Sequence, residues 1–431
     1  MRLAPPTPRA DTQTGTATEA EQEHQVRRTA QAILFRHLLV GDEENPADTF
    51  WSGISLDLTG ALLGPANLIG CRISAADFTG ATFTGHVWFD RARFGLDAVF
   101  TGVRFAGDAS FSGARFDHDA RFASVTFHGS AQFEKADFGG RAWFDEAEFR
   151  SRAVFTEVAF SGNASLNEAQ FDGQADFRNA RFARVGMFGG ARFDDNANFN
   201  GAKFDVRAGF HGVRFTGAFT VFNGAMFART DFEAAEFGSD TTFSEAQFTG
   251  DTSFVMTEFT RNVEFTQARF DSSVNFAGSR FDKFAVFDDA KFGGRARFHE
   301  CQFGSFTNFV RARFAADVSF ERTEFADRAG FVGTKFGGQA RFAEANFADY
   351  SGFAGAQFDG DTIFDLVRFG GPIAFSADFV RPPRIRAVWV RLDVRERIED
   401  SGWPPGTVIR ETDERPHGVQ VGRWGLLVHA P

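Results

Sequence analysis

The chain has 431 residues and a formal net charge of −11, and this acidic balance favours solubility and argues against general binding of nucleic acid. Sixty residues are Phe and one is Tyr. A buried Tyr hydroxyl needs a hydrogen-bond partner and a Phe ring does not, so this bias argues against an aromatic ligand-binding surface and predicts an enclosed apolar core.

The N-terminal segment is predicted to precede the main fold. Residues 1–19 are rich in Thr, Ala and Pro and are expected to form a disordered tail. Residues 20–50 are expected to form an amphipathic capping helix and a lead-in, because Val26, Ala30, Ile33 and Leu34 recur three and four residues apart. The helix should run from about Ala20 to Val40 and cap the first coil; partner binding and membrane binding are the alternatives.

A five-residue rhythm begins after this helix. Large apolar residues fall five apart, with a small residue two positions before most of them: Leu58, Leu63, Leu68, Ile73, Phe78 and Phe83. A step of five is not an α-helical period, whereas small-x-large places two side chains on one face of a short extended segment. The pattern therefore predicts short strands that point these residues inward.

After Phe83 the gaps between successive Phe residues alternate between six and five as far as Phe375. We interpret four units of 5, 6, 5 and 6 as one coil of 22 residues with two opposite corners widened; a flattened coil of 11 residues is the alternative. The extra residue should lie in the turn before the small residue, as at 95–97 before Ala98. The rhythm breaks once, between Phe215 and Phe237, which predicts a local bulge; a partner-binding kink is the alternative.

The units Ala66-Asn67-Leu68-Ile69-Gly70 and Ala76-Asp77-Phe78-Thr79-Gly80 resemble the pentapeptide-repeat family, and the resemblance covers roughly residues 54–379. The chain looks like a Phe-rich, actinobacterial-type variant with alternating five- and six-residue units. The resemblance implies an all-β fold, a right-handed quadrilateral parallel β-helix, which we place at residues 51–380. Residues 381–431 should form a small β-rich cap, in which Trp389, Trp403 and Trp424 cover the last Phe layer or mediate dimerisation.

Chemical signatures are absent from this pattern. The glycines lie at repeat corners and lack a following Gly-Lys-Ser/Thr, and the nine His residues show no ligand spacing. The two cysteines, Cys71 and Cys301, lie where other repeats carry Ala and are predicted to be buried thiols in a reducing cytoplasm. We therefore expect no catalytic residue, cofactor or metal site, and no enzymatic activity; a groove of converging carboxylates would favour the opposite.

A coil of 22 residues places the position before every fourth core residue in one row. Eight of its members are basic and form the candidate interaction strip: Arg93, Arg115, Arg181, Lys203, Arg269, Lys291, Arg313 and Lys335. Like charges this close repel, so we expect the corner acids Asp117, Asp205 and Asp271 to neutralise the row. The alternative is a basic strip that faces phospholipid headgroups, nucleic acid or an acidic protein.

The functional hypothesis is a non-enzymatic, rigid solenoid scaffold for protein–protein interaction, with an unidentified protein partner. No direct contact with nucleic acid and no transmembrane segment are expected, and homodimerisation stays open. The resemblance also implies an alternative, because some family members imitate DNA, bind type II topoisomerases and confer quinolone resistance. That role requires continuous acidic faces and a dimer joined end to end.

Overall fold

The computed structural model describes residues 16–41, 47–393, 404, 406–417, 419 and 421–430. The chain forms two compact units, Met1–Arg207 and Ala208–Pro431. The predicted disordered tail falls outside the described residues up to residue 15, and residues 16–19 belong to a helix. No helix in the described ranges is long and apolar enough to span a membrane.

The helix of the first unit runs from Thr16 to Arg36, so it begins and ends about four residues earlier than the sequence pattern predicts. It ends early because the chain turns after Arg36 and Leu39 forms an antiparallel bridge with Cys71. Leu34 is buried, but Val26 and Ile33 are 68% and 54% exposed, so only part of the predicted apolar face packs.

The last turns of this helix contact the first coil, in agreement with a capping role. The Gln31 side chain lies 8% exposed; its Oε1 accepts a hydrogen bond from the Gly64 N–H at 2.8 Å, and its Nε2 donates to the Pro65 carbonyl at 2.9 Å. Leu38, which follows the helix, is fully buried, and its carbonyl accepts a bond from the Arg72 N–H at 2.9 Å.

One coil of the first unit consists of four two-residue strands, which define sides 1 to 4: Arg93–Phe94, Ala98–Val99, Arg104–Phe105 and Ala109–Ser110. Each strand pairs in parallel with the strand 22 residues further on, as Arg93 does with Arg115 and Arg104 with Thr126. The four-sided coil of 22 residues is confirmed, and the flattened 11-residue alternative is wrong.

The second unit repeats the same coil, for example as Lys291–Phe292, Ala296–Arg297, Gln302–Phe303 and Thr307–Asn308. Side 1 is the side that carries the candidate strip. Its strands in the first unit are Arg72–Ile73, Arg93–Phe94, Arg115–Phe116, Asp137–Phe138, Ala159–Phe160 and Arg181–Phe182, followed by Lys203–Gly209 at the end of this unit. Its strands in the second unit are Met226–Asp231, Gln247–Phe248, Arg269–Phe270, Lys291–Phe292, Arg313–Phe314, Lys335–Phe336, Gln357–Phe358 and Asp378–Phe379.

The corners between sides are of two kinds. The corners after sides 1 and 3 contain three residues, such as 95–97, so the extra residue lies where the sequence predicts it. The corners after sides 2 and 4 contain two residues, and the second has a left-handed backbone, as at Gly113 (φ 65°), Lys135 (φ 56°) and Gly333 (φ 66°). Glycine adopts that conformation without the steric cost that an L-residue incurs.

Stacked Phe rings fill the interior of both units. Phe116 stacks on Phe138 with ring centroids 4.7 Å apart, and Phe292 stacks on Phe314 at 4.5 Å. Neighbouring sides meet edge to face, as Phe116 and Phe122 do at 84°. These rings are at most 2% exposed, which confirms that the repeated Phe residues point inward.

The small inward position admits polar groups where a carbonyl is available. On side 3 of the second unit, Thr257 Oγ1 donates to the Phe232 carbonyl at 2.9 Å, and Cys301 Sγ donates to the Phe276 carbonyl at the same distance. Both cysteines are free and fully buried, as predicted, and burial raises the pKa of the Cys71 thiol to about 12.

The interruption after Phe215 lies in the second unit. The core positions are taken by Phe222 and Phe227, both at most 1% exposed, while Phe219 is 56% exposed. Strand Phe219–Val221 pairs with Asp240–Thr242, an offset of one residue less than elsewhere. The residue gained before Phe222 is therefore lost again before the next coil, as a local bulge requires.

The end of the second unit is a strand cap. Strand Val388–Arg391 continues side 3 in parallel and pairs antiparallel with Trp424–His429, which pairs antiparallel with Thr407–Thr412. Val390 is fully buried and Trp424 is 5% exposed. The predicted β-rich cap is confirmed, while the proposed contribution of Trp403 falls outside the described residues.

Candidate interaction surface

All eight residues of the candidate strip lie on side 1 with exposed side chains. In the first unit Arg93 pairs in register with Arg115, and Arg181 with Lys203, with Asp137 and Ala159 between the two pairs. In the second unit the four basic residues are consecutive: Arg269, Lys291, Arg313 and Lys335. Adjacent paired strands lie ~4.8 Å apart, so each step along side 1 is short and fixed.

In the first unit carboxylates neutralise the row. Arg93 Nε donates to Asp117 Oδ2 at 2.7 Å and Arg115 Nε donates to Asp117 Oδ1 at 2.8 Å. Desolvation works to raise the pKa of this carboxyl, which is 19% exposed, but the hydrogen bonds and charges of the two guanidiniums outweigh it and lower the pKa below the usual value. Arg181 is paired in the same way with Asp205 at 2.9 Å.

In the second unit this neutralisation stops after one coil. Arg269 is paired with Asp271 at 3.7 Å. The next three positions after the core Phe are Gly293, Ala315 and Gly337, which carry no carboxylate.

We call Lys291, Arg313 and Lys335 the basic ladder. Among the described residues, none of the three has a carboxylate oxygen within 4.0 Å. The nearby Asp289 is bound by Arg311 at 2.7 Å, and that hydrogen bond lowers the pKa of Asp289, with smaller electrostatic contributions from Arg313 and Lys291. The sequence expectation that corner acids neutralise the row is therefore met at Asp117, Asp205 and Asp271 and does not extend to the ladder.

Side 2 adds basic residues that the sequence reasoning missed. Arg295, Arg297 and Arg341 line a groove of about 180 Å³, together with Asp317 and Ser319. Arg295 contacts Asp317 at 3.7 Å, whereas Arg297 has no carboxylate within 4.0 Å among the described residues. The same 22-residue period would have revealed this second column, since Ser319 lies between Arg297 and Arg341 in register.

Two other surface features lie outside this region. His211, Asp231 and Glu233 place their potential ligand atoms within 4.8 Å of one another, because residues 22 apart are neighbours; sequence inspection of the His residues alone did not show this. An apolar groove of about 480 Å³ lies along the N-terminal helix beside Trp51, whose ring stacks on His37 at 3.9 Å.

These observations define the class of protein: an all-β repeat protein with parallel solenoid coils, an N-terminal helix and a C-terminal strand cap. The family description "Pentapeptide repeats (9 copies)" matches residues 68–115, 111–158, 144–189, 155–203 and 232–280. The chain is a pentapeptide-repeat protein. No curated protein matches it.

Proposed function

We propose that the protein is a non-enzymatic, cytoplasmic scaffold that binds a protein partner through the outward side chains of its coils. The observation that carries this proposal is the unbroken register of side 1, which holds exposed residues of consecutive coils at a fixed spacing. Proteins built from stacked repeats present extended surfaces of this kind to their partners.

The surface is held by its backbone and core. Main-chain hydrogen bonds join each coil to the next, as from the Arg313 N–H to the Ala290 carbonyl at 2.9 Å and from the Lys335 N–H to the Ala312 carbonyl at 2.9 Å. The Phe314 ring beneath them stacks on Phe336 with centroids 5.4 Å apart. A surface that is ordered before binding loses little conformational entropy when a partner docks, which favours affinity.

The groups with raised pKa values fit a structural role better than a catalytic one. Burial raises the pKa of the Cys301 thiol, which donates to a backbone carbonyl and is fully buried. Reactive cysteines are instead partly exposed and have lowered pKa values. Desolvation raises the pKa of Asp288, whose carboxylate accepts bonds from the Val310 N–H at 3.2 Å and Asn308 Nδ2 at 3.1 Å.

The DNA-mimic alternative requires a continuous acidic face. Side 1 of the second unit instead carries four consecutive basic residues, from Arg269 to Lys335. A supercoiling assay with purified gyrase tests this alternative: inhibition at micromolar concentration supports mimicry, and unchanged supercoiling rejects it.

The scaffold proposal is tested by affinity purification with the full chain on a resin, and with heat-denatured chain as the control. We expect a defined protein to be retained by the native chain, and the two purified proteins to form a complex of fixed stoichiometry. Failure of the purified proteins to associate, or turnover of a small-molecule substrate by the chain, would contradict the proposal.

A further inference from the structure

The basic ladder concentrates positive charge that the protein does not neutralise by ion pairing. Lys291, Arg313 and Lys335 occupy successive strands, and their side chains are exposed on one side. Like charges directly opposite each other on paired strands destabilise a sheet. An anionic partner that supplies one charge per coil would remove this repulsion.

The spacing of the ladder selects among anionic partners. Successive cations are one strand apart, ~4.8 Å. An α-helix that lies along the ladder presents one side chain per turn of about 5.4 Å, and flexible Lys and Arg side chains absorb the small mismatch over three turns. An extended peptide presents same-face side chains about 6.7 Å apart, which loses register after a single step.

The surface beside the ladder leaves room for a helix. Gly293, Ala315 and Gly337 follow the three core Phe residues and are exposed. Because none of them extends beyond a methyl group, the backbone of a partner can approach the corner closely. Arg297 and Arg341 lie beyond this corner on side 2 and can contact acids on the flank of the same helix.

We propose that the basic ladder, assisted by Arg297 and Arg341, docks an acidic α-helix of a partner protein whose axis follows the ladder and whose carboxylates recur once per turn. This proposal rests on the scaffold function and names the chemistry of the partner. The net charge of −11 repels large polyanions, and Asp271 and Glu321 flank the patch. A single helix is narrow enough to contact the cations and avoid these acids.

The test uses the full chain and a fluorescent, alanine-rich helical peptide with one glutamate per turn along one face. A control peptide has the same composition, with the glutamates distributed around the helix. Fluorescence anisotropy should show that the one-face peptide binds about tenfold more tightly than the control peptide, as expected for three aligned ion pairs. Equal binding of the two peptides would overturn the proposal.

Matched variants locate the binding site. Lys291→Gln, Arg313→Gln and Lys335→Gln together should weaken binding of the one-face peptide about tenfold, because three ion pairs are lost. Arg93→Gln, Arg115→Gln and Arg181→Gln change the net charge equally at residues already paired with Asp117 and Asp205, and should change binding less than about twofold. Circular dichroism and thermal unfolding establish that both triple variants are folded, and equal weakening by the two would reject the ladder as the site.

Two further probes distinguish the other anionic partners. Duplex DNA and phosphatidylserine vesicles are titrated under the same conditions, and tighter binding of either than of the one-face peptide overturns the acidic-helix proposal. A purified partner that binds both triple variants equally would also overturn it and leave the scaffold function intact. Failure of the scaffold function is a different result, in which no partner protein associates at all.

Discussion

Side 1 carries a basic row in both units, but the two regions treat its charge differently. In the first unit Asp117 lies between Arg93 and Arg115 and binds both. In the second unit Ala315 occupies the equivalent corner position beside Lys291 and Arg313. The comparison teaches that the coil fixes where the cations lie, while a single corner residue decides whether their charge is available to a partner.

The largest expected effect tests whether the two regions share one core. Phe116→Ala and Phe314→Ala each remove a ring that is at most 2% exposed, and each should lower the free energy of unfolding by about 3–5 kcal/mol through cavity formation. Chemical denaturation of the two variants measures the cost. Similar costs would show that the regions differ at the surface, and a neutral Phe314→Ala would contradict the inward assignment.

The tight corner before side 1 should respond oppositely in the two regions. Lys135→Gly in the first unit should stabilise the protein, because the left-handed backbone of Lys135 carries the cost of a β-carbon. Gly333→Ala in the second unit should destabilise it, and each change should be about 1 kcal/mol. Thermal unfolding measures both, and changes of the same sign would break the equivalence of the corners.

Removing the shared carboxylate should convert the first region into a copy of the second. Asp117→Ala breaks the pairs to Arg93 and Arg115 and should cost about 1 kcal/mol of stability. It should also create a new binding site for the one-face acidic peptide. Asp117→Asn is the control of similar shape, and a variant that gains no binding would show that an unpaired cation pair is insufficient.

The same carboxylate gives a pH dependence. Its pKa is lowered from the usual 3.8, so its contribution to stability is present above that value and is lost as the pH falls through the lower pKa of the folded state. The difference in melting temperature between the protein and Asp117→Asn should therefore be largest near neutrality and shrink below about pH 4. A difference that stays constant through acid pH would contradict the ion-pair assignment.

The smallest stability effect comes from the reverse change. Ala315→Asp should place a carboxylate between Lys291 and Arg313, stabilise the protein by about 0.5 kcal/mol and weaken binding of the one-face peptide. Ala315→Asn fills similar space without charge and should leave peptide binding nearly unchanged. Equal effects of the two substitutions would show that bulk at the corner, not charge, controls access.

Sequence alone was sufficient for the architecture, because the signal recurs in every coil. The inward Phe residues, the widened corners and the buried Cys301 all follow from a period that strand geometry permits and helix geometry does not. The ends of the N-terminal helix were predicted less well. Its apolar spacing continues through Leu38, but pairing of Leu39 with Cys71 replaces the last helical turn, and that contact joins distant parts of the sequence.

The candidate surface was predictable in position but not in charge state. All eight strip residues lie exposed on side 1, yet which of them are paired depends on side-chain directions that a sequence row does not specify. Asp117 reaches back to Arg93 in the preceding coil as well as to Arg115 in its own. Arg297 and Arg341 were missed because only one row was followed across the coils, although the same period applies to every side.

The fixed coil of 22 residues makes the length of the basic ladder a property that gene duplication can change in whole steps. An in-frame duplication of residues 291–312 would add one Lys to the ladder and one Phe to each stack without disturbing the hydrogen-bonding register. The compensated gain and loss of one residue around Phe222 shows the complementary constraint, since the coil returns to phase at once. Binding surfaces in such a protein can therefore evolve by counting coils, and a partner helix would be matched to it turn by turn.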